Sequence, residues 1–292
     1  MAEEHREDEI KSQKRLGVIG FPIGHSRSPL IHNYWLKLAG LDHLYEPMNV
    51  EPENVSAFLK KGQFIGLNVT IPHKEAALAA CDEVEPFAKR VGAANTLIWR
   101  DDGTLYGRNT DGIGFIENLR AGAPDIDFSS GPAAVIGAGG AARAILAALM
   151  DAGVPEIRLT NRSIDKAYKL AEEIKQADGA DAPIKVLPFE DRAAALTDAS
   201  LCVNTTSLGM KDNPPLELDL TSLAQGAVVT DIVYSPLETP LLKQAKAQGY
   251  TAVDGLGMLL HQAAPAFEAW FGVKPKVTPL LKAMVVEDLN KR

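Results

Sequence analysis

Hydrophobic and polar positions follow two periods along this chain, and the period switches repeatedly. Short apolar-rich runs, "RLGVIG" (15–20), "LYEPMNV" (44–50) and "GLNVTI" (66–71), predict strands. Between them, "SPLIHNYWLKLAG" (28–40) spaces Leu30, Ile31, Tyr34, Trp35 and Leu38 as one face of a helix that Gly40 ends. "VSAFLKKG" predicts a helix ending at Gly62, and "KEAALAA" and residues 84–90 predict two more. "AANTLIWRDDGTLYGRNT" predicts a hairpin that turns at Asp102-Gly103. Strand and helix thus alternate over the first third, which predicts a mostly parallel sheet with one antiparallel addition.

"TDGIGFIENLRAG" (110–122) returns to helical spacing, and the polar, Pro- and Gly-containing "APDIDFSSGP" leads into a second series. Strands are expected at "AAVIGAG", "EIRLTN", "IKVLP", "LCVNTT", "AVVTDIVY" and "TAVDG". Helices are expected at "GAARAILAALMDAG", "SIDKAYKLAEEIKQADG" and "TPLLKQAKAQG". Two terminal helices, 256–272 and 279–290, close the chain, and Pro265 should begin or kink a helical segment. A length of 292 residues suits two domains.

Composition narrows the function classes. A net charge of −8 disfavours nucleic acid and anionic membranes as partners, since both demand basic surface. The only two cysteines, Cys81 and Cys202, form no disulfide framework and suit a reducing compartment. The charged start, residues 1–14, has no apolar core of a secretory signal and reads as a disordered tail. The most apolar region, 133–149, is broken by Arg143 and by glycine, so a membrane span is not expected. The default compartment is cytoplasmic.

"AAVIGAGGAAR" carries the first specific chemistry. Gly137, Gly139 and Ala142 match G-x-G-x-x-G/A between a strand and a helix. The first glycine permits a tight turn, and the second lets backbone approach a pyrophosphate. The helix start then offers unpaired N–H groups to the phosphates. About 20 residues further on, an NAD site ends its next strand with an acid that binds the ribose 2′-hydroxyl. Here Asn161-Arg162-Ser163 stands instead. No carboxylate would repel a 2′-phosphate, and Arg162 can bind one by a charge-assisted fork, with help from Ser163 and from Arg143. NADP(H) is the expected cofactor.

"GLNVTIPHKEAAL" (66–78) sets Asn68, Thr70, Pro72 and Lys74 two apart. The row reads either as the solvated face of an edge strand or as hydrogen-bonding groups aimed into a cleft. Other polar sites gather at strand ends and helix starts. Ser26 and Ser28 in "GHSRSP" can cap a helix or bind a carboxylate. "GAANTL" holds Asn95, and "GRNTDGIG" holds Asn109, Thr110 and Asp111, of which Asp111 can be a turn residue or an active one. Gln262 lies on a largely apolar helix, and His261 beside it is given no role. Together these groups would suit a small polyhydroxylated acid. No His/Cys cluster has metal-ligand spacing and no nucleophile elbow occurs, so no metal is expected.

"GHSRSPLIHN", "NVTIPHK", "GAANTL", "GRNTDGIG", "GAGGAAR", "NRS", "NTTSLGM" and "DGLGMLLHQAA" occur in an order that strongly resembles the shikimate dehydrogenase family, over residues 15 to 290. The resemblance implies an α/β fold. An N-terminal α/β substrate domain with a mostly parallel sheet (15–112, completed by 255–292) would pair with a Rossmann dinucleotide-binding domain (113–254), the active site lying in the cleft between them. It implies NADP-dependent reduction of 3-dehydroshikimate to shikimate, on the route to chorismate and the aromatic amino acids. By the same resemblance Lys74 and Asp111 are the catalytic pair. Ser26 and Ser28 would bind the carboxylate, and Asn68, Asn95 and Gln262 the ring hydroxyls, with Thr70 and Tyr234 as further pocket positions. Gly137, Ala138, Gly139, Gly140, Ala141, Asn161, Arg162 and Ser163 would hold the cofactor, with Thr205, Val233, Gly255 and Met258 near its adenosine or nicotinamide ends.

Two positions depart from the family pattern. Arg108 replaces an aspartate common before the "NTDG", which changes the local charge, and Ser163 replaces a threonine but keeps the hydroxyl. Quinate-using relatives share most of the motifs but tend to carry threonine at the position of Ser28 and an acid at the cofactor selector. A quinate/shikimate dehydrogenase of relaxed selectivity is therefore the alternative, and a catalytically silent binder is disfavoured by the presence of Lys74 and Asp111. The partners expected are small molecules, with monomer or homodimer both open. A hinge is expected near 108–115 and 250–257.

Overall fold

The computed structural model describes residues 14–61, 64–179 and 181–291. The expected disordered tail and the helix end at Gly62 lie outside the described residues, Lys14 apart. The chain forms two compact units. One comprises the residues up to Thr110 with Ala263–Lys276, and the other Asp111–Gln262 with the residues from Val277.

The first unit runs β1 (Arg15–Gly20), α1 (Ser28–Ala39), β2 (Tyr45–Asn49), α2 (Val55–Leu59), β3 (Phe64–Val69), α3 (Lys74–Ala79), β4 (Glu83–Val84), α4 (Pro86–Val91), β5 (Thr96–Trp99) and β6 (Leu105–Arg108). Its sheet has the order β2-β1-β3-β5-β6-β4. Only β5 runs against the rest, through antiparallel pairing with β3 and β6. The hairpin turns at Asp102-Gly103, where Gly103 has φ +88° and Asp102 Oδ1 accepts the Thr104 N–H at 2.9 Å. The two-residue β4 was not expected from the sequence, being too short to show a period.

Where β3 lies decides between the two readings of its polar row. It is a central strand, hydrogen-bonded to β1 and β5, so the edge-strand reading fails. Helix α1 also turns differently from the expected face. It buries Ser28, Ile31, His32, Trp35 and Leu36, while Leu38 is 67% exposed. The reason is aromatic packing. His32 stacks on Tyr45 with ring centroids 4.3 Å apart and planes 5° apart, and Trp35, Phe267 and Trp270 surround the pair. Trp270 donates its indole N–H to the Leu97 carbonyl at 3.0 Å. Gly66 leaves the room, since a Cβ there would enter the indole ring.

The second unit runs α5 (Asp111–Gly122), β7 (Ala133–Ile136), α6 (Gly140–Asp151), β8 (Ile157–Thr160), α7 (Ile164–Asp178), β9 (Ile184–Leu187), α8 (Arg192–Leu196), β10 (Leu201–Asn204), β11 (Val228–Asp231), α9 (Pro240–Ala247), β12 (Thr251–Val253), α10 (Leu256–Phe271), of which the part from Ala263 belongs to the first unit, and α11 (Pro279–Asn290). Its parallel strands are ordered β12-β11-β10-β7-β8-β9. That order reverses between β7 and β10, the switch point at which doubly wound sheets bind dinucleotides. Being buried on both faces, these strands read as continuous apolar runs. One core joins Ala134, Ile136, Cys202 and Val229 of the sheet to Leu196 of α8 and to Leu241, Leu242 and Ala245 of α9. Short α8 was not foreseen, and Pro265 is accommodated inside α10. The expected domain limit at 112/113 falls within α5.

Burial lowers the His32 pKa from 6.5 to about 3. The Asn68 side chain opposes the shift, although neither ring nitrogen makes a well-formed hydrogen bond. The native ring therefore stays neutral while the unfolded chain takes up a proton below pH 6.5, so stability falls as pH falls from 6.5 towards 3. Acidification from pH 7 to 5 should cost about 2 kcal/mol through His32 alone. His32→Phe, which keeps the stack, should lose that component. All three tryptophans, Trp35, Trp99 and Trp270, lie in the first unit, so their fluorescence during denaturation reports on it. An equal pH dependence in the two proteins would contradict the assignment.

Candidate functional site

In the first unit the candidate substrate residues are linked by hydrogen bonds. Ser26 Oγ accepts the Ser28 N–H at 3.3 Å, so the helix entrance is satisfied by Ser26, and Ser28 is the first helical residue rather than the cap. The Ser28 side chain neighbours the Tyr45 hydroxyl and works against the burial that raises its pKa. Tyr45 Oη donates to Asn68 Oδ1 at 2.7 Å. Asn68 Nδ2 donates to the Asn95 carbonyl at 3.1 Å and to Thr96 Oγ1 at 3.2 Å. Thr96 Oγ1 donates to Asn95 Oδ1 at 3.0 Å, which also accepts from Thr110 N at 2.9 Å and Thr110 Oγ1 at 3.1 Å. Ser26 is half-buried, and Ser28, Asn68 and Asn95 are buried.

Lys74 opens α3 immediately beyond the cis Ile71-Pro72 bond. Its carbonyl accepts the Ala94 N–H at 3.0 Å, which ties it to the segment carrying Asn95. Thr70 ends the row, its N–H bonded to the Ile19 carbonyl at 2.9 Å. Arg108 does not leave its charge unbalanced: Glu85 Oε1 takes its Nε at 3.1 Å, and Oε2 takes the Asn109 N–H at 3.3 Å.

In the second unit Asp111 is the first residue of α5 and is 8% exposed. Gln262 on α10 faces α5 across Gly114, where a Cβ would come within 2.6 Å of the Gln262 Cβ and 2.8 Å of the Met258 carbonyl. Gly114 is thus required for the approach that places Asp111 and Gln262 on adjoining helices. Tyr234 lies in the loop after β11.

The dinucleotide motif has the conformation its sequence predicts. Gly137 has φ +114°, and a Cβ there would sit 2.5 Å from Thr205 Oγ1. Ala138 N–H donates to Asn161 Oδ1 at 3.2 Å, which joins the motif to the loop after β8. Cβ atoms at Gly139 or Gly140 would meet nothing within 4 Å, so the turn and the start of α6 leave open space at the N–H groups of Gly139–Ala141. These residues fit a dinucleotide pyrophosphate. Arg162 and Ser163 are exposed, Ser163 makes no side-chain cap, and Arg162 has no ion pair among the described residues. Arg143 is a correction: it pairs with Glu173 of α7, so its charge is already met. Thr205 spends its hydroxyl on the Ile136 and Gly137 carbonyls, at 2.9 and 3.1 Å, and supports the turn from beneath.

Val233 and Gly255 adjoin the end of β11. A Cβ at Gly255 would lie 2.7 Å from the Asp231 carbonyl, and the Val233 N–H bonds to Asp231 Oδ1 at 3.0 Å. Asp231 also accepts from Asn204 Nδ2 at 2.9 Å and Thr239 Oγ1 at 2.7 Å, and so holds the loops after β10 and β11 together. Burial raises its pKa, and those donors work against the rise.

Sequence reasoning missed Tyr45, Thr96, Asn204 and Asp231, and singled out Thr110 without its link to Asn95. Tyr45 looks like any strand aromatic. The signal for Thr96 and Asn204 was an Asn-Thr pair at a strand end, which occurs at 95–96, 109–110 and 204–205, whereas Asp231 at the end of β11 carried no such signal. Among the described residues no group of three or more His, Cys, Asp or Glu could hold a metal ion, and no helix is long and apolar enough to cross a membrane.

Three family models match the chain. The shikimate dehydrogenase substrate binding domain covers residues 18–97, the shikimate/quinate 5-dehydrogenase family 123–209, and the shikimate 5'-dehydrogenase C-terminal domain 255–285. A shikimate dehydrogenase (NADP(+)) of Paramagnetospirillum magneticum is 53% identical over 273 residues, 92% of this chain and 97% of that protein. Shikimate 5-dehydrogenase of Thermus thermophilus, solved with NADP(H) and shikimate, is 38% identical with a TM-score of 0.81, covering 94% of this chain and 99% of that one. Quinate dehydrogenase of Corynebacterium glutamicum, solved with NAD, is 30% identical with a TM-score of 0.85, covering 93% and 98%. With relatives this similar over nearly its whole length, the chain belongs to the shikimate dehydrogenase family.

Proposed function

We infer that this chain is a shikimate dehydrogenase, catalysing the reversible reduction of 3-dehydroshikimate by NADPH and a proton to shikimate and NADP+. The observation that carries the reading is the bonded set Ser26, Ser28, Asn68 and Asn95 in the same unit as Lys74, within a chain so similar to NADP-dependent relatives. The bound cofactor supplies the hydride that reaches the substrate carbonyl carbon. Lys74 gives a proton to the carbonyl oxygen as negative charge develops there and takes it back in the reverse direction. Asp111 orients Lys74 and hydrogen-bonds the substrate. Ser26 and Ser28 hold the carboxylate, Asn68, Asn95 and Gln262 the ring hydroxyls, and Thr70 and Tyr234 line the remaining pocket. The enzyme works in the cytoplasm.

Gly137, Ala138, Gly139, Gly140 and Ala141 cradle the pyrophosphate, and Asn161, Arg162 and Ser163 take the adenosine ribose with its 2′-phosphate. Thr205, Val233, Gly255 and Met258 support the turn and the nicotinamide end. Strand β8 ends without a carboxylate and Arg162 is unpaired among the described residues, which favours NADP over NAD and disfavours the quinate-type alternative.

NADPH formation from shikimate and NADP tests the reaction. Lys74→Ala should lower kcat by about 10²- to 10⁴-fold with NADP binding retained. Turnover at the wild-type rate would remove Lys74 from the proton transfer, and inactivity of the wild type on shikimate with either cofactor would overturn the function. Arg162→Ala should raise the KM for NADP by about tenfold or more and leave the KM for NAD nearly unchanged, because only NADP brings the phosphate. Equal effects on both cofactors would count against that contact.

A further inference from the structure

The amides of Asn68 and Asn95 each have their orientation set by a backbone group. Asn68 Nδ2 faces the Asn95 carbonyl, which can only accept, so that end of the amide is the nitrogen. Asn95 Oδ1 faces the Thr110 N–H, which can only donate, so that end is the oxygen. The bonds between them run one way: Tyr45 to Asn68, Asn68 to Thr96, Thr96 to Asn95. At Asn68 both amide hydrogens have acceptors, and the oxygen accepts from Tyr45. At Asn95 the oxygen takes three donors, so any further bond made by its amide is made as a donor through Nδ2.

Tyr45 is built for this task. It is 1% exposed and its ring is held by the stack with His32. Burial keeps its hydroxyl protonated well above the ordinary tyrosine range, so it remains a donor at any working pH. A phenylalanine would fill the same packing space, so packing alone does not account for the hydroxyl. Its hydrogen bond is to Asn68 at 2.7 Å, a residue assigned above to the substrate.

We propose that Tyr45 is a positioning residue for the reaction: its hydroxyl donates to the Asn68 amide oxygen and holds that amide in the orientation in which it meets a ring hydroxyl of the substrate. The proposal rests on the reading that Asn68 binds the substrate.

A double-mutant cycle on the full-length enzyme, with shikimate and NADP, tests it. Asn68→Ala should raise the shikimate KM by about tenfold or more, the loss of a buried hydrogen bond. Tyr45→Phe should raise it by about tenfold with kcat falling less, and should leave the KM for NADP within about twofold. In the Asn68→Ala background, Tyr45→Phe should change kcat/KM by less than about twofold, because it acts through the missing side chain. A wild-type shikimate KM in Tyr45→Phe, or the same loss on both backgrounds, overturns the proposal and leaves the substrate site standing. A wild-type KM in Asn68→Ala overturns that site reading and the proposal with it. If thermal melting shows Tyr45→Phe unfolded at the assay temperature, the cycle is run below its melting point, where the same outcomes decide.

Discussion

A buried amide must find partners, and in the first unit that requirement organises everything near Asn68. The residue sits on a central strand, 4% exposed, where an unpaired amide would cost about 1–3 kcal/mol. Its partners come from β2, from the segment before β5, and from β5 itself. Asn95 in turn reaches Thr110 at the end of the hairpin. One polar chain thereby fixes the relative positions of β2, β3, the β5 entrance and the residue before α5. The aromatic packing of His32, Trp35, Tyr45, Phe267 and Trp270 keeps water away from it, which strengthens each bond.

The second unit meets a comparable demand differently. The polar side chains that hold its loops lie where the strands end. Thr205 closes the turn at Gly137, Asn161 holds Ala138, and Asp231 joins Asn204 to Thr239. Three loops are therefore anchored to the sheet by side chains from its own strand ends, and the open face is left to backbone N–H groups. A scaffold of this kind presents a phosphate with donors that need no rearrangement.

The alternation of strands and helices was legible because each segment carries its own period, and the glycine motif because its residues are demanded by local geometry. Strand β4 and helix α8 were not legible, being too short for a period to show. The face of α1 was misjudged because His32 counts as polar in a pattern, yet four aromatic neighbours and complete burial make it a core residue. Arg143 was misjudged because its partner Glu173 lies on another helix, 30 residues away. The single motifs around Ser28, Asn68 and Asn95 were visible, but their linkage was not. It runs through Tyr45, whose hydroxyl is invisible to a hydrophobicity pattern.

The backbone-set amides also bear on how such a site can change over time. The hydroxyls of Ser26 and Ser28 rotate, so each can donate or accept and can adjust to a new ligand group without moving its neighbours. Asn68 and Asn95 cannot. Reversing either would set an amide nitrogen against a donor, or an oxygen against a carbonyl, inside the protein. Drift towards other hydroxy acids is therefore cheap at the serines and closed to single steps at the asparagines, so new specificities in this fold should arise at the carboxylate end of the pocket first.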